Sequence, residues 1–434
     1  MSLLSKNTAA AAILKAHGQL LASFERLSVE AISQAIDAGR MALLANPAHA
    51  NVTPTLIGQP ARVKVNANIG TSPMINDVEM ELKKLKLAET AGAHAVMDLS
   101  TAGDLDAVRT RILAESPLPL GTVPLYSVAQ PYVARGQDPS DFSAAELFEE
   151  IEKQAKQGVD FMTLHCGVTA RGAAMASDGR RILGIVSRGG SLMARWMKRR
   201  KRENPLLEGY DKLLDICLAH NVTISLGDGL RPGAGADAGD AAQWEEVSVL
   251  GDLAKRAVEA GVQIMIEGPG HVPLHLVQTQ IQGIKRLTNN APLYVLGPLT
   301  TDAAAGYDHI AGAIGGAQAA YFGADFLCYL TPAEHVTLPG PQDVWDGVKA
   351  SLIAAQSAET ALGRPWAVER DLAISKARAA LDWEAMADNA LDPNTLRKRR
   401  KDFHGEKECA MCGSFCAIRM LEGVEQADLP CPKD

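Results

Sequence analysis

VTISLGD (222–228), VQIMIEG (262–268) and PLYVLGP (292–298) are three apolar runs of strand length, each closing on a glycine turn. Helical stretches near 242–260, 273–289 and 303–322 follow them in turn. Short buried-type strands alternating with longer helices are the mark of βα units and a parallel sheet. The same alternation extends outward to VKVNANI (63–69), AVMDLS (95–100), LGTVPLY (120–126), DFMTLHC (160–166) and DFLCYL (325–330), which makes eight runs. ILGIVSR (182–188) is a possible ninth. Eight close a barrel, whereas an open doubly wound sheet of this length more often uses six or seven strands. The expectation is a (β/α)8 barrel over residues 61–345, with the open sheet as the alternative. Residues 1–60 read as a helical and then irregular segment, with ANPAHANVTP as a loop. Residues 346–390 read as Ala-rich C-terminal helices, and 391–434 as a polar, extended or mobile tail carrying clustered cysteines.

The chain has 434 residues, 47% hydrophobic, with a formal net charge of −8. That balance disfavours a general nucleic-acid binder. The basic runs RWMKRRKR (195–202) and RKRRK (397–401) lack interleaved aromatics and read as solvated surfaces. No apolar run approaches the roughly 20 residues that cross a bilayer. The N-terminus is broken by Lys15 and reads as an amphipathic helix of a cytoplasmic protein, not a signal peptide.

The strand ends carry the polar residues: Asn66, Asn68, Asp98, Tyr126, His165, Ser187-Arg188-Gly189, Asp228 with Arg231, Glu267 with His271, and His335. Singly, such residues are helix caps or bonded core groups. Together they make a polar pocket at the C-terminal mouth, where barrel enzymes build their sites. SRGG (187–190) and GDGLRPG (227–233) pair glycines with an arginine, which suits an anion such as phosphate. His271 and His335 suit a zinc or iron ion with open positions.

Of seven cysteines, Cys166, Cys217 and Cys328 sit in apolar surroundings and read as buried thiols. CAMCGSFC (409–416) spaces three as C-x2-C-x3-C, a metal signal. Zinc would need a fourth ligand, for which Cys431 or His404 is available. A [4Fe–4S] cluster on three thiolates keeps one iron open for S-adenosylmethionine. Spacing alone leaves zinc and iron–sulfur even.

VKVNANIGTS, VMDLST, GTVPLY, QGVDFMTLHCGVT, GIVSRGGS, SLGDGLRPG, IMIEGPGHVP, YVLGPLTTD, GYDHI, GADFLCYLTPAEH and CAMCGSFC, in order from about residue 30 to 420, resemble the phosphomethylpyrimidine synthase family of radical S-adenosylmethionine enzymes. The resemblance implies a (β/α)8 barrel and a carbon–carbon lyase acting on aminoimidazole ribotide. It implies a [4Fe–4S] cluster on Cys409, Cys412 and Cys416, and a zinc or iron ion on His271 and His335. The ribotide would be held by Asn68, Met97, Tyr126, His165, Ser187, Arg188, Gly189, Asp228, Gly229, Leu230, Arg231, Glu267 and Tyr294. A homodimer, whose tail reaches the partner's site, and an external electron donor are also implied. The chain departs from the thiamin enzymes at LLANPAH (43–49), PLYSV (124–128), NPLLE (204–208) and TTDAAAGYDH (300–309). On those departures the expected product is 5-hydroxybenzimidazole, made by a paralogue on the route to cobamides, with product identity set by the loops Ala45–His49 and Ala303–Ala305. The alternative is the phosphorylated hydroxymethylpyrimidine of the thiamin route.

Overall fold

The computed structural model describes residues 2–420. Its strands are β1 (Met41–Leu44), β2 (Thr55–Gly58), β3 (Lys64–Ile69), β4 (Ala95–Asp98), β5 (Leu120–Thr122), β6 (Phe161–Leu164), β7 (Thr223–Leu226), β8 (Ile264–Glu267), β9 (Leu293–Leu296) and β10 (Phe326–Cys328). Strands β3 to β10 pair in chain order and in parallel, and β10 returns to β3, so the sheet is a closed barrel. The eight expected runs are these eight strands. ILGIVSR is not a ninth. It is a loop leading to Ser187, which caps the helix Arg188–Arg200.

The barrel strands are almost wholly buried, as a parallel sheet with helices outside and side chains filling its interior requires. The helices between them start and stop on local signals. The helix Ala144–Gln157 begins with a reciprocal Ser143–Glu146 capping box and ends where Gly158 turns to φ 110°, a conformation that costs a glycine little. LGTVPLY divides in two: β5 stops at Thr122, and Pro124 opens the helix Pro124–Ala134. Proline suits that first helical position because its missing N–H would have no partner there. Tyr126 therefore reaches the mouth from a helix start.

β1 and β2 form an antiparallel ribbon at the barrel's N-terminal end. Gln263, just before β8, bonds both backbone groups of Leu43, at 2.7 and 3.1 Å. Asp160, just before β6, accepts from the Asn46 N–H and the His49 ring, both at 2.7 Å. The Ala45–His49 loop is thus fastened at the end opposite the mouth. None of it lines the cavity at the mouth, which corrects the expectation that it steers the product.

The chain divides into two compact units, one up to Glu359 and one from Thr360. The second holds the helices Pro365–Ala379, Trp383–Asn389 and Pro393–Arg400, then the cysteine turn. The polar stretch read as extended is helical over Pro393–Arg400, because Asp392 accepts from the Thr395 N–H and Pro393 opens the first turn. The Arg400 guanidinium stacks on the Trp383 ring at 4.1 Å. Among the described residues no helix is long and apolar enough to cross a membrane.

Candidate active site

A cavity of about 90 Å³, or about 530 Å³ with the open solvent at its entrance included, sits at the C-terminal mouth of the barrel. Its wall includes Asn68, Met97, Tyr126, His165, Ser187, Asp228, Arg231, Glu267 and Tyr294. Four further expected residues are not on that wall. Arg188 lies over the Tyr126 ring at 4.8 Å. Gly189 and Gly229 permit close packing, since a Cβ on them would fall 2.1 Å from His165 Cε1 and 2.3 Å from Val168 Cγ2. Leu230 is fully buried, and its N–H and C=O are already bonded, to Glu246 at 2.8 Å and Arg181 at 2.7 Å. Asp98 turns away from the cavity and accepts from the Ser100 N–H at 2.9 Å.

Ser187 caps its helix by accepting from the Gly190 N–H, and its hydroxyl also meets His165 Nε2 at 3.1 Å. The first turn of that helix therefore lies at the cavity, where free N–H groups favour an anion. Arg231 Nη1 bonds Asp228 Oδ1 at 2.8 Å. Burial pushes the Asp228 carboxyl up to about 8, the Arg231 charge opposing this and Glu267 adding to it. Burial, with Arg231 nearby, pulls His165 down to about 3, so its ring is neutral. His165 Nδ1 and Asp228 Oδ2 are buried without a partner, which native proteins tolerate mainly where a ligand or water completes the bond.

The opposite wall is a chain of contacts. Asn66 Nδ2 donates to Asn68 Oδ1 and Tyr294 Oη, both at 2.8 Å, Tyr294 donates to Met97 Sδ at 3.6 Å, and Asn68 Nδ2 donates to Cys328 Sγ at 3.2 Å. Met97 and Tyr294, which carry no strand-end signal of their own, enter by register: Asn68 pairs with Met97, and Glu267 with Tyr294. Sequence reading missed Thr163 and Cys328, which also line the cavity, and Ser225. Thr163 and Ser225 donate to Glu267 Oε1 at 2.6 and 2.8 Å. The available signal was the two-residue strand period, which puts Thr163 on the face of His165. Cys328 is buried as expected, and burial pushes its thiol up to about 12.

His271 and His335 come together with ring centroids 5.2 Å apart. Each Nδ1 is held by a carboxylate, Asp302 at 2.7 Å and Asp308 at 2.8 Å. That leaves both Nε2 atoms for another partner, the usual support of a metal-binding histidine. His335 adopts φ 58° to reach this place, a conformation uncommon outside glycine. In the second unit Cys409, Cys412 and Cys416 share one compact turn, with Gly413 N–H on Cys409 O and Cys416 N–H on Gly413 O, each at 3.1 Å. The Cys412 N–H, the Cys412 thiol and the Met411 N–H lower the Cys409 thiol, and the same thiol contact raises Cys412. Among the described residues no three His, Cys, Asp or Glu side chains are gathered as a metal site. Cys431 lies outside the described residues, and His404 is exposed.

A family model described as the radical SAM ThiC family matches residues 5–423. Proteins named phosphomethylpyrimidine synthase are similar along nearly the whole chain. One from Carboxydothermus hydrogenoformans is 50% identical over 405 residues, 93% of this chain and 94% of its own length. One from Desulfitobacterium hafniense is 49% identical over 402 residues, covering 92% and 93%. One from Methanocaldococcus jannaschii is 48% identical over 406 residues, covering 93% and 95%. With an eight-stranded barrel, a polar mouth and the three-cysteine turn in place, this breadth of similarity establishes that the chain belongs to the radical SAM ThiC family and is a radical S-adenosylmethionine enzyme using an iron–sulfur cluster.

Proposed function

We propose that this chain is a phosphomethylpyrimidine synthase, converting aminoimidazole ribotide into the phosphorylated hydroxymethylpyrimidine of the thiamin route. The observation that carries the reading is near half identity, over nine-tenths of the chain, to relatives of that name. This replaces the benzimidazole product as the preferred reading. One of the two loops invoked for that product, Ala45–His49, is bonded to Asp160 at the far end of the barrel.

The residues supply binding and orientation. The helix start at Ser187, with Arg188 and Arg231, is suited to the ribotide phosphate. Glu267 has Oε1 committed to Thr163 and Ser225, which fixes the carboxylate and leaves Oε2 for a ribose hydroxyl or the ring amine. His165, neutral and buried, orients by hydrogen bonding without adding charge. Asn68, Met97 and Tyr294 form the opposite wall, while Gly189, Gly229 and Leu230 let the grips pack closely. His271 and His335 would hold a divalent zinc or iron ion, a Lewis acid at the mouth. Cys409, Cys412 and Cys416 would hold the cluster, which supplies the one-electron cleavage of S-adenosylmethionine when bound. The family resemblance adds a homodimer and an external electron donor.

The test is anaerobic reconstitution with S-adenosylmethionine, a reductant and aminoimidazole ribotide, with products identified by mass spectrometry. Phosphorylated hydroxymethylpyrimidine is expected. 5-Hydroxybenzimidazole as the product would restore the other reading. Cys412→Ala should end S-adenosylmethionine cleavage while the barrel's melting transition stays in place.

A further inference from the structure

We infer that Arg181 and Glu246 are positioning residues that clamp the two anion grips in fixed register. The inference rests on the proposed phosphorylated substrate for its ligand, though not for its geometry.

The GDGLRPG turn is held by the peptide of Leu230 from both sides. Glu246 Oε2 accepts the Leu230 N–H at 2.8 Å, and Arg181 Nη2 donates to the Leu230 C=O at 2.7 Å. Arg181 also holds Asp240 in a two-point grip, Nε to Oδ2 and Nη2 to Oδ1, each at 2.7 Å. Asp240 in turn caps the helix Ala241–Ala260 through the Gln243 N–H at 2.9 Å. Glu246 stands on that same helix, so the contacts close a ring: Leu230, Arg181, Asp240, the helix, Glu246 and back to Leu230. Both clamp side chains are buried, Glu246 at 2% and Arg181 at 7% residue exposure. The two-point charged contact of Arg181 with the partly exposed Asp240 is of the stronger and more directional kind, while Glu246 accepts a single bond.

The second grip is tied to the first. Arg181 lies in the loop before SRGG and donates to the Gly184 C=O at 3.0 Å. The two grips then touch through backbone alone: a Cβ on Gly190 would fall 2.1 Å from Gly229 O. A shift of the Leu230 peptide therefore moves Asp228 and Arg231 on one side and Gly190 on the other. Neither Arg181 nor Glu246 is on the cavity wall, so their effect on a ligand is indirect.

The experiment uses the full chain without its cluster, so binding is read independently of turnover. Calorimetry measures aminoimidazole ribotide and its dephosphorylated ribonucleoside against wild type, Arg181→Met, Glu246→Ala and Glu246→Gln. Arg181→Met and Glu246→Ala should weaken ribotide binding about tenfold or more, with ribonucleoside binding within about twofold of wild type. Glu246→Gln keeps an acceptor for the Leu230 N–H and should restore most of the affinity. Unchanged ribotide binding in Arg181→Met, or equal loss of both ligands, overturns the clamp. Hydrogen exchange on the segment 227–233 gives a reading without ligand: the Leu230 amide should exchange faster in Arg181→Met and Glu246→Ala than in wild type. Unchanged protection also overturns the clamp. Failure of wild type to take the ribotide while that protection difference holds would count against the substrate reading and leave the clamp standing.

Discussion

The two ends of the barrel contain similar polar residues used in opposite ways. At the N-terminal end they are paired with one another. Lys64 meets Glu25 at 2.7 Å and Lys285 meets Asp325 at 2.8 Å, all four side chains at or below 9% exposure. His49 lies between Asp160 and the Ser116 carbonyl, at 2.7 and 3.1 Å. Thr223 Oγ1 is an exception there. At the C-terminal mouth the pairing is left incomplete: Asp228 Oδ2, His165 Nδ1 and Asn66 Oδ1 have no partner. Buried polar atoms without partners cost about 1–3 kcal/mol each. One end therefore stabilises the fold, and the other holds bonding capacity that a ligand completes.

The contrast is broken most severely at Asp160. Its carboxylate takes the Asn46 and Leu120 N–H groups and the His49 ring. Asp160→Ala should cost about 3–5 kcal/mol of stability, because three buried donors lose their acceptor. Denaturant unfolding reads it, and ribotide affinity of the folded fraction should be unchanged. A mild loss would mean that the far end is not the structural one.

At the mouth the effects should invert. Arg231→Ala should weaken ribotide binding by about 2–4 kcal/mol through a lost charge-assisted contact, measured by calorimetry, with a smaller change in stability than Asp160→Ala. The Asp228 carboxyl, already pushed up to about 8 by burial, holds its proton more firmly still once the guanidinium is gone and so does not become a buried lone charge. The product should not change. Thr163→Val sharpens the same point more gently. It removes one of two hydrogen bonds to Glu267 Oε1 and should cost about 1 kcal/mol in binding. Near-wild-type affinity would show that Ser225 alone fixes the carboxylate.

This division explains what could be read in the sequence. Strand alternation was written in eight apolar runs, and SRGG, GDGLRPG and the paired histidines announced the mouth because glycine, arginine and histidine are unusual at strand ends. Met97, Tyr294, Thr163 and Cys328 were not announced, since an inward residue in mid-strand looks like core until register places it beside Asn68 or Glu267. The misreading of LLANPAH had another cause. Sequence order shows that a loop departs from a family pattern, but it does not say at which end of a barrel the loop lies. Asp160, which fixes that end, is more than a hundred residues away.

The smallest expected effect tests the far end by proton rather than by mutation. Burial works against a charge on His49, but the Asp160 hydrogen bond and charge, with the Ser116 and Leu113 carbonyls, outweigh it and raise the ring above 6.5. Asp160 and two carbonyls are acceptors, so both ring nitrogens are best used as donors in the charged form. A raised folded value means that the stabilisation is complete below the unfolded value near 6.5 and is lost as pH rises through the folded one. The loss is modest because a neutral ring still donates one bond to Asp160. Its slope cannot exceed about 1.4 kcal/mol per pH unit for one proton. Unfolding free energies of wild type and His49→Gln, measured from pH 6 to 9, should differ most at the acid end and converge toward the alkaline one. A difference that stayed flat or widened with pH would show that the ring is neutral throughout, and that the far end is held by hydrogen bonds without this charge.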